Sequence, residues 1–231
     1  MTVTLNQPWL EFDLGQIMQV LSWAPHGAGC HRARRILWRQ VRNADLPADL
    51  DVAKWLDAQM HRRGAGAEVC MLTSRDISVY HVARKNIDIH DVMAVATVGL
   101  SNAERVGHRV DRTGRDWNRD LSSAQEAGFG TINIAVRLST PLSQIGLLEA
   151  MSIATQARTL AVLDAAHVLP DGAGLATGTG TDCIAVAAPE GSQHYAGLHT
   201  ALGEAIGQAV LQVVSEGARV WQRSIGLRSE G

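Results

Sequence analysis

The chain has 231 residues, 46% of them hydrophobic and 19% charged, with a formal net charge of −2. That length supports one domain with a real core, or at most two small ones, and the composition is that of an ordinary globular protein. The near-neutral balance argues against a nucleic-acid footprint or a polybasic membrane surface; the one dense basic stretch, His31, Arg32, Arg34 and Arg35, reads as a solvated face.

The N-terminus lacks a basic segment followed by an apolar one, so it does not read as a secretory signal. No stretch approaches the ~18 apolar residues of a membrane span. The three cysteines, Cys30, Cys70 and Cys183, are odd in number and far apart. They suit reduced thiols in a cytoplasm rather than a disulfide framework.

Residues 9–23 read as two short strands or a hairpin, with Gly15 near the turn. Residues 25–29 are a loop, and 34–42 a strand. Val52, Trp55, Leu56 and Met60 share one face of a helix over 51–62. Val69 to Leu72 and Val92 to Val98 are apolar runs of strand length, and 76–84 stays undecided between them. Residues 101–128 form a long polar connection carrying Arg105, Arg109, Arg112, Arg115 and Arg119, which reads as a functional loop or lid.

Gly130 to Leu138 is a strand with alternation. Thr140 reads as the N-cap and Pro141 as the first residue of a helix reaching about residue 167. Its polar stripe is narrow (Glu149, Ser152, Gln156, Thr159), so it is expected to be central and buried. Residues 171–182 are a Gly/Thr loop and Cys183 to Ala188 a short strand. In a last helix, about 196–217, Leu198, Leu202, Ile206, Val210 and Val213 face inward. Interleaved strands and helices imply a mixed α/β fold: a single domain over 1–231, with a mixed sheet packed against two long helices.

Three segments place small residues beside polar ones at strand ends: 96–107, 130–134 and 176–182. Glycines there let backbone approach a ligand, while Thr, Asn and Asp supply directed hydrogen bonds. Ala-Thr-Gly-Thr-Gly-Thr-Asp is not a phosphate loop, because no Lys follows its glycines and a strand follows instead of a helix. Histidine spacings of five residues, and the lack of Cys-x-x-Cys, argue against a metal centre. No nucleophile elbow is present. Cys183 reads as a small buried hydrophobe. Of the six tryptophans, one or two could stack on a flat ligand.

The order and wording of these segments resembles the adenosylcobinamide amidohydrolase family. The matching stretches are Ser22 to Gly29, Thr97 to Ala103, Gly130 to Ile134, Ile153 to Asp164, Ala176 to Asp182 and Tyr195 to Gly207. Val98 departs from the family's usual Ala, and Ala28 and Cys30 lie in a loop expected to be richer in glycine. The resemblance implies hydrolysis of the amide between the corrin side chain and the aminopropanol arm of adenosylcobinamide. It implies no added metal or cofactor: the cobalt corrinoid is the substrate. A small-molecule partner follows, without nucleic acid or membrane, and a homo-oligomer is compatible with it.

On that resemblance Asp182 is the acid/base candidate, as the one carboxylate inside a matching glycine-rich segment. Thr179, Thr181 and Asn133 complete the candidate catalytic set. Thr97, Asn102, Gly130, Thr131, Gly178 and Gly180 are the candidate substrate-binding residues. Glu126, Glu204 and His199 are weaker options. The residues leave open whether water or a threonine attacks. Two rival readings remain. One is a corrinoid carrier, although Asp88-Ile89-His90 is not completed by the glycine such loops carry. The other is a cofactor-free hydrolase of another amide.

Overall fold

The computed structural model describes residues 1–42, Asp45, Pro47, 49–109 and 130–229, with side chains to residue 225. In chain order the strands and helices are β1 (Thr2–Asn6), β2 (Trp9–Ser22), β3 (Gly29–Gln40), α1 (Val52–Arg62), β4 (Val69–Thr73), β5 (Tyr80–Ile87), β6 (His90–Thr97), β7 (Ala103–Glu104), β8 (Asn133–Leu138), α2 (Gln144–Asp164), β9 (Gly178–Thr179), β10 (Cys183–Ala188) and α3 (Ala201–Ser229). The main sheet runs β4-β3-β2-β10-β8-β6-β5, with β1 also paired to β2, and β7 and β9 form a separate ribbon. β10 is parallel to β8 and β3 to β4; the other neighbours are antiparallel.

Strand alternation splits the interior into two sides. Ile134, Val136, Ile184 and Val186 face the long helices. Leu37 and Cys70 face Leu56 and Met60 of α1 on that same side of the sheet. Phe12, Val20, Trp38, Met71, Val95, Ala135 and Ala185 face the other way and pack on one another. Among the described residues no helix covers that side, and the sheet rolls so that its own side chains fill the concavity. Residues 74–79 alone carry the chain from one sheet edge, β4, to the other, β5. A link that short spans at most about 25 Å. Asn133 Nδ2 of β8 donates to the Leu72 carbonyl of β4 at 2.7 Å, across the inside of the roll.

The structure corrects four expectations. Residues 9–22 are one strand rather than two: the register shifts between Asp13 and Met18, and Gly15, at φ +86°, absorbs the bulge that lets the strand continue. The hairpin partner is β1. The first long helix starts later than expected, since Ser143, not Thr140, caps it and accepts from the Gly146 amide at 3.2 Å. Thr140 instead bonds His90 Nδ1 at 2.6 Å, and Leu142 exchanges backbone hydrogen bonds with the 189–191 segment.

That helix is not buried all round, for Ile145, Leu148 and Leu160 are exposed. Its small residues Gly146, Ala150, Ala154, Ala157 and Ala161 form the packing seam, which leaves several bulkier side chains outside. The last helix begins at Ala201, where Thr200 Oγ1 accepts from the Gly203 amide at 2.9 Å, and it runs on to Ser229. Leu198 precedes it and is exposed, while Leu202, Ile206, Val210 and Val213 are buried as expected.

Candidate active site

The three small-residue segments meet at one end of the sheet, where β2 and β6 finish and β8 and β10 begin. Two glycines make the first junction: a Cβ on Gly130 would lie 2.6 Å from Gly99 Cα, so these backbones approach as only glycines can. The Gly99 amide donates to the Thr131 carbonyl at 3.2 Å, and the Gly180 amide to the Asn102 carbonyl at 3.1 Å. Pairing of β7 with β9 ties the first segment to the third.

A chain of hydroxyls crosses these junctions. Asn102 Nδ2 donates to Thr181 Oγ1 at 3.0 Å, and Thr181 Oγ1 donates to Thr131 Oγ1 at 3.0 Å. Thr131 and Thr179 hydroxyls lie 3.2 Å apart. The Thr179 hydroxyl donates to Asp182 Oδ1, and the Thr179 amide donates to the same oxygen at 3.0 Å. Ile132 N–H donates to Thr179 Oγ1 at 3.4 Å, so this hydroxyl accepts from an amide while giving its proton to a carboxylate.

Asp182 has a second partner. Arg158, from the C-terminal half of α2, forms an ion pair with Asp182 Oδ2, and both side chains are largely withdrawn from solvent. Burial holds the Arg158 guanidinium below its ordinary pKa. A Cβ on Gly178 would collide with the Arg158 guanidinium and come within 2.7 Å of Asp182 Oδ2. Gly178 is glycine here because the pair occupies that space. Beside it, Trp23 is 48% exposed, and its Nε1 donates to the Asp182 carbonyl at 2.6 Å.

Thr97 and Asn133 lie beneath this surface. They are register partners on β6 and β8, fully buried on the inner side of the roll. Among the described residues Thr97 Oγ1 and Asn133 Oδ1 have no hydrogen-bond partner. The sequence-derived set therefore divides. Asp182, Thr179, Thr181, Thr131 and Asn102 form one connected network; Gly130, Gly178 and Gly180 shape the backbone that carries it; Thr97 and Asn133 support it from below. Glu204 and His199 lie beyond the opposite end of β10, and Glu126 is outside the described residues. Arg112, Arg115 and Arg119, expected in a lid, are outside them as well.

Sequence reasoning missed Arg158. Its signal was available: one guanidinium in an apolar helix, away from the polar stripe. Trp23 was undistinguished among the tryptophans until its exposure was known. Cys183 is buried, and burial pushes its thiol pKa up to about 12, so next to Asp182 it stays a protonated apolar group. Asp88 and Ile89 form the tight turn joining β5 to β6, with His90 bonded to Thr140, at the end of β6 away from Asp182. That is no place for a cobalt ligand of the carrier type.

The adenosylcobinamide amidohydrolase family model matches residues 1–225, a span holding every residue of the network. The chain belongs to the adenosylcobinamide amidohydrolase family. An adenosylcobinamide amidohydrolase is a hydrolase of amides with a corrinoid as its substrate. A search of curated proteins gave no match. No helix among the described residues is long and apolar enough to cross a membrane.

Proposed function

We propose that this amidohydrolase cleaves the amide joining the corrin propionyl side chain to the aminopropanol arm. The products are adenosylcobyric acid and 1-amino-2-propanol, and the reaction serves salvage or remodelling of incomplete corrinoids. It uses no added metal or cofactor. The observation that carries this reading is convergence: the segments that resemble the family meet in one carboxylate–hydroxyl–amide network.

Amide hydrolysis needs a nucleophile, a base for its proton, donors for the oxyanion and a proton for the departing amine. In our reading the Thr179 hydroxyl attacks the amide carbon and Asp182 takes its proton. Asn102 Nδ2, which has a second hydrogen to offer, donates to the oxyanion. The C–N bond breaks as Asp182 returns the proton to the amine. Water then attacks the resulting ester as Asp182 takes its proton; the bond from the acyl carbon to Thr179 Oγ1 breaks, Asp182 returns that proton to Oγ1, and the corrinoid acid departs. The exposed face of Trp23 suits stacking against the flat macrocycle.

The test is incubation of purified, chelator-treated protein with adenosylcobinamide, followed by mass spectrometry. Loss of the aminopropanol arm with uptake of water is the expected result. An intact, bound corrinoid would favour the carrier reading instead. Rapid quench should trap the acyl group on Thr179; no adduct, together with turnover by Thr179→Val, would assign the attack to water with Asp182 as its base.

A further inference from the structure

We infer that Arg158 is a positioning residue of this active site: it fixes the rotation of the Asp182 carboxylate so that Oδ1 stays aimed at the Thr179 hydroxyl. This rests on the hydrolytic reading above. The two carboxylate oxygens have separate tasks. Oδ2 pairs with Arg158, and Oδ1 receives both the amide and the hydroxyl of Thr179.

Three observations point to a built arrangement. First, a guanidinium with about 13% side-chain exposure is costly to bury, and this one leaves α2 on the side away from its polar stripe toward one carboxylate. Second, the pair fills the space in front of Gly178, so that a side chain there would push the Arg158 guanidinium and Asp182 Oδ2 aside. Third, the Arg158 Nε has no hydrogen-bond partner among the described residues, and the ion pair with Asp182 is the contact that its guanidinium makes there. Without the guanidinium the carboxylate could exchange its oxygens and swing away from Thr179. Substrate contacts would remain, because Arg158 lies behind Asp182 and not at the exposed surface.

The experiment compares wild type, Arg158→Met and Arg158→Lys, each normalised to folded protein by circular dichroism. Saturation kinetics use adenosylcobinamide. For Arg158→Met, kcat should fall about 10²-fold, within the range positioned acid–base groups contribute, with KM within about 3-fold of wild type because substrate contacts are untouched. Arg158→Lys should recover part of that loss, since it keeps the charge and loses the planar fork. Wild-type kcat in Arg158→Met would overturn the inference, and so would a loss matching only the unfolded fraction or appearing in KM alone. If Arg158→Met does not fold, Arg158→Lys decides: unchanged kcat overturns the inference, and a drop in kcat at constant KM supports it. Wild-type protein that leaves the corrinoid intact would instead overturn the hydrolytic reading itself.

Discussion

Two buried carboxylates, Glu68 and Asp182, each pair with an arginine, yet their remaining bonds differ. Glu68 Oε2 accepts the backbone amides of Arg34 at 2.9 Å and Arg35 at 2.7 Å, and its Oε1 accepts Arg35 Nε at 3.1 Å. Arg35 continues to Glu11, and Glu11 to Arg63. Burial works against the Arg35 charge, but hydrogen bonding to Glu68 and the nearby Glu11 and Glu68 charges outweigh it and raise its pKa. Glu68 is bonded to amides that never give up their protons, so it fixes β3 against β4. Asp182 is bonded to a hydroxyl, whose proton can transfer. On the proposed mechanism, what the remaining oxygen holds separates a chemical role for Asp182 from a structural one for Glu68.

The comparison can be broken most decisively by exchanging roles. Asp182→Asn should reduce kcat about 10²–10⁴-fold per folded molecule while corrinoid binding, read by absorbance titration, persists; near-wild-type turnover would remove Asp182 from the chemistry. Glu68→Gln should do the reverse. Breaking a buried pair costs about 3 kcal/mol, which at this chain length lowers the melting temperature by roughly 10 °C, with kcat per folded molecule unchanged. A catalytic defect in folded Glu68→Gln would end the distinction.

Smaller effects sharpen it. Gly130→Ala should destabilise by about 1–3 kcal/mol in urea titration, because its Cβ would meet Gly99 Cα at 2.6 Å. Burial depresses the pKa of His81, with Arg75 and Arg219 adding and Glu216 opposing. Burial also depresses His167, which packs edge-on against Trp221 at 5.3 Å. In both cases the folded chain binds fewer protons than the unfolded chain near the ordinary histidine range. This stability is therefore present above that range and lost as pH falls through it. The melting temperature should decline on acidification, and His167→Phe should flatten the decline. Smallest of all, Cys183→Ala should stay within about 2-fold of wild-type activity, and a thiol reagent should label the exposed Cys30 but neither Cys183 nor Cys70 in folded protein.

Much of this was legible in the sequence. Helix α1 and the inner face of α3 follow from periodicity, because each buries one face; β6 and β10 follow as short apolar runs and β8 as an apolar stretch after Gly130, because these central strands are buried on both faces. The 96–107, 130–134 and 176–182 segments were legible as candidates because glycine beside Thr, Asn or Asp is a local signature. What failed was decided by distant partners. Thr140 lost the cap to Ser143 because His90 and the 189–191 segment claimed the residues between. Leu198 falls on the helical repeat but precedes the helix. The apolar surface of α2 stayed outside because its alanines made the closer fit. Arg158 was passed over because its partner, Asp182, lies in another element.

β10 is the last strand of the chain and yet the central strand of the sheet, joining β2 on one side to β8 on the other. During synthesis the β1–β4 half and the β5, β6 and β8 half emerge first, and none of their strands pairs directly with a strand of the other half. Only when residues 183–188 insert does the roll acquire its keystone, and Asp182 is the residue immediately ahead of that insertion. Pairings of such long sequence separation are slow to form. The junction of 96–107, 130–134 and 176–182 at the start of β8 and β10 is therefore completed only when residues 183–188 join the two halves of the sheet.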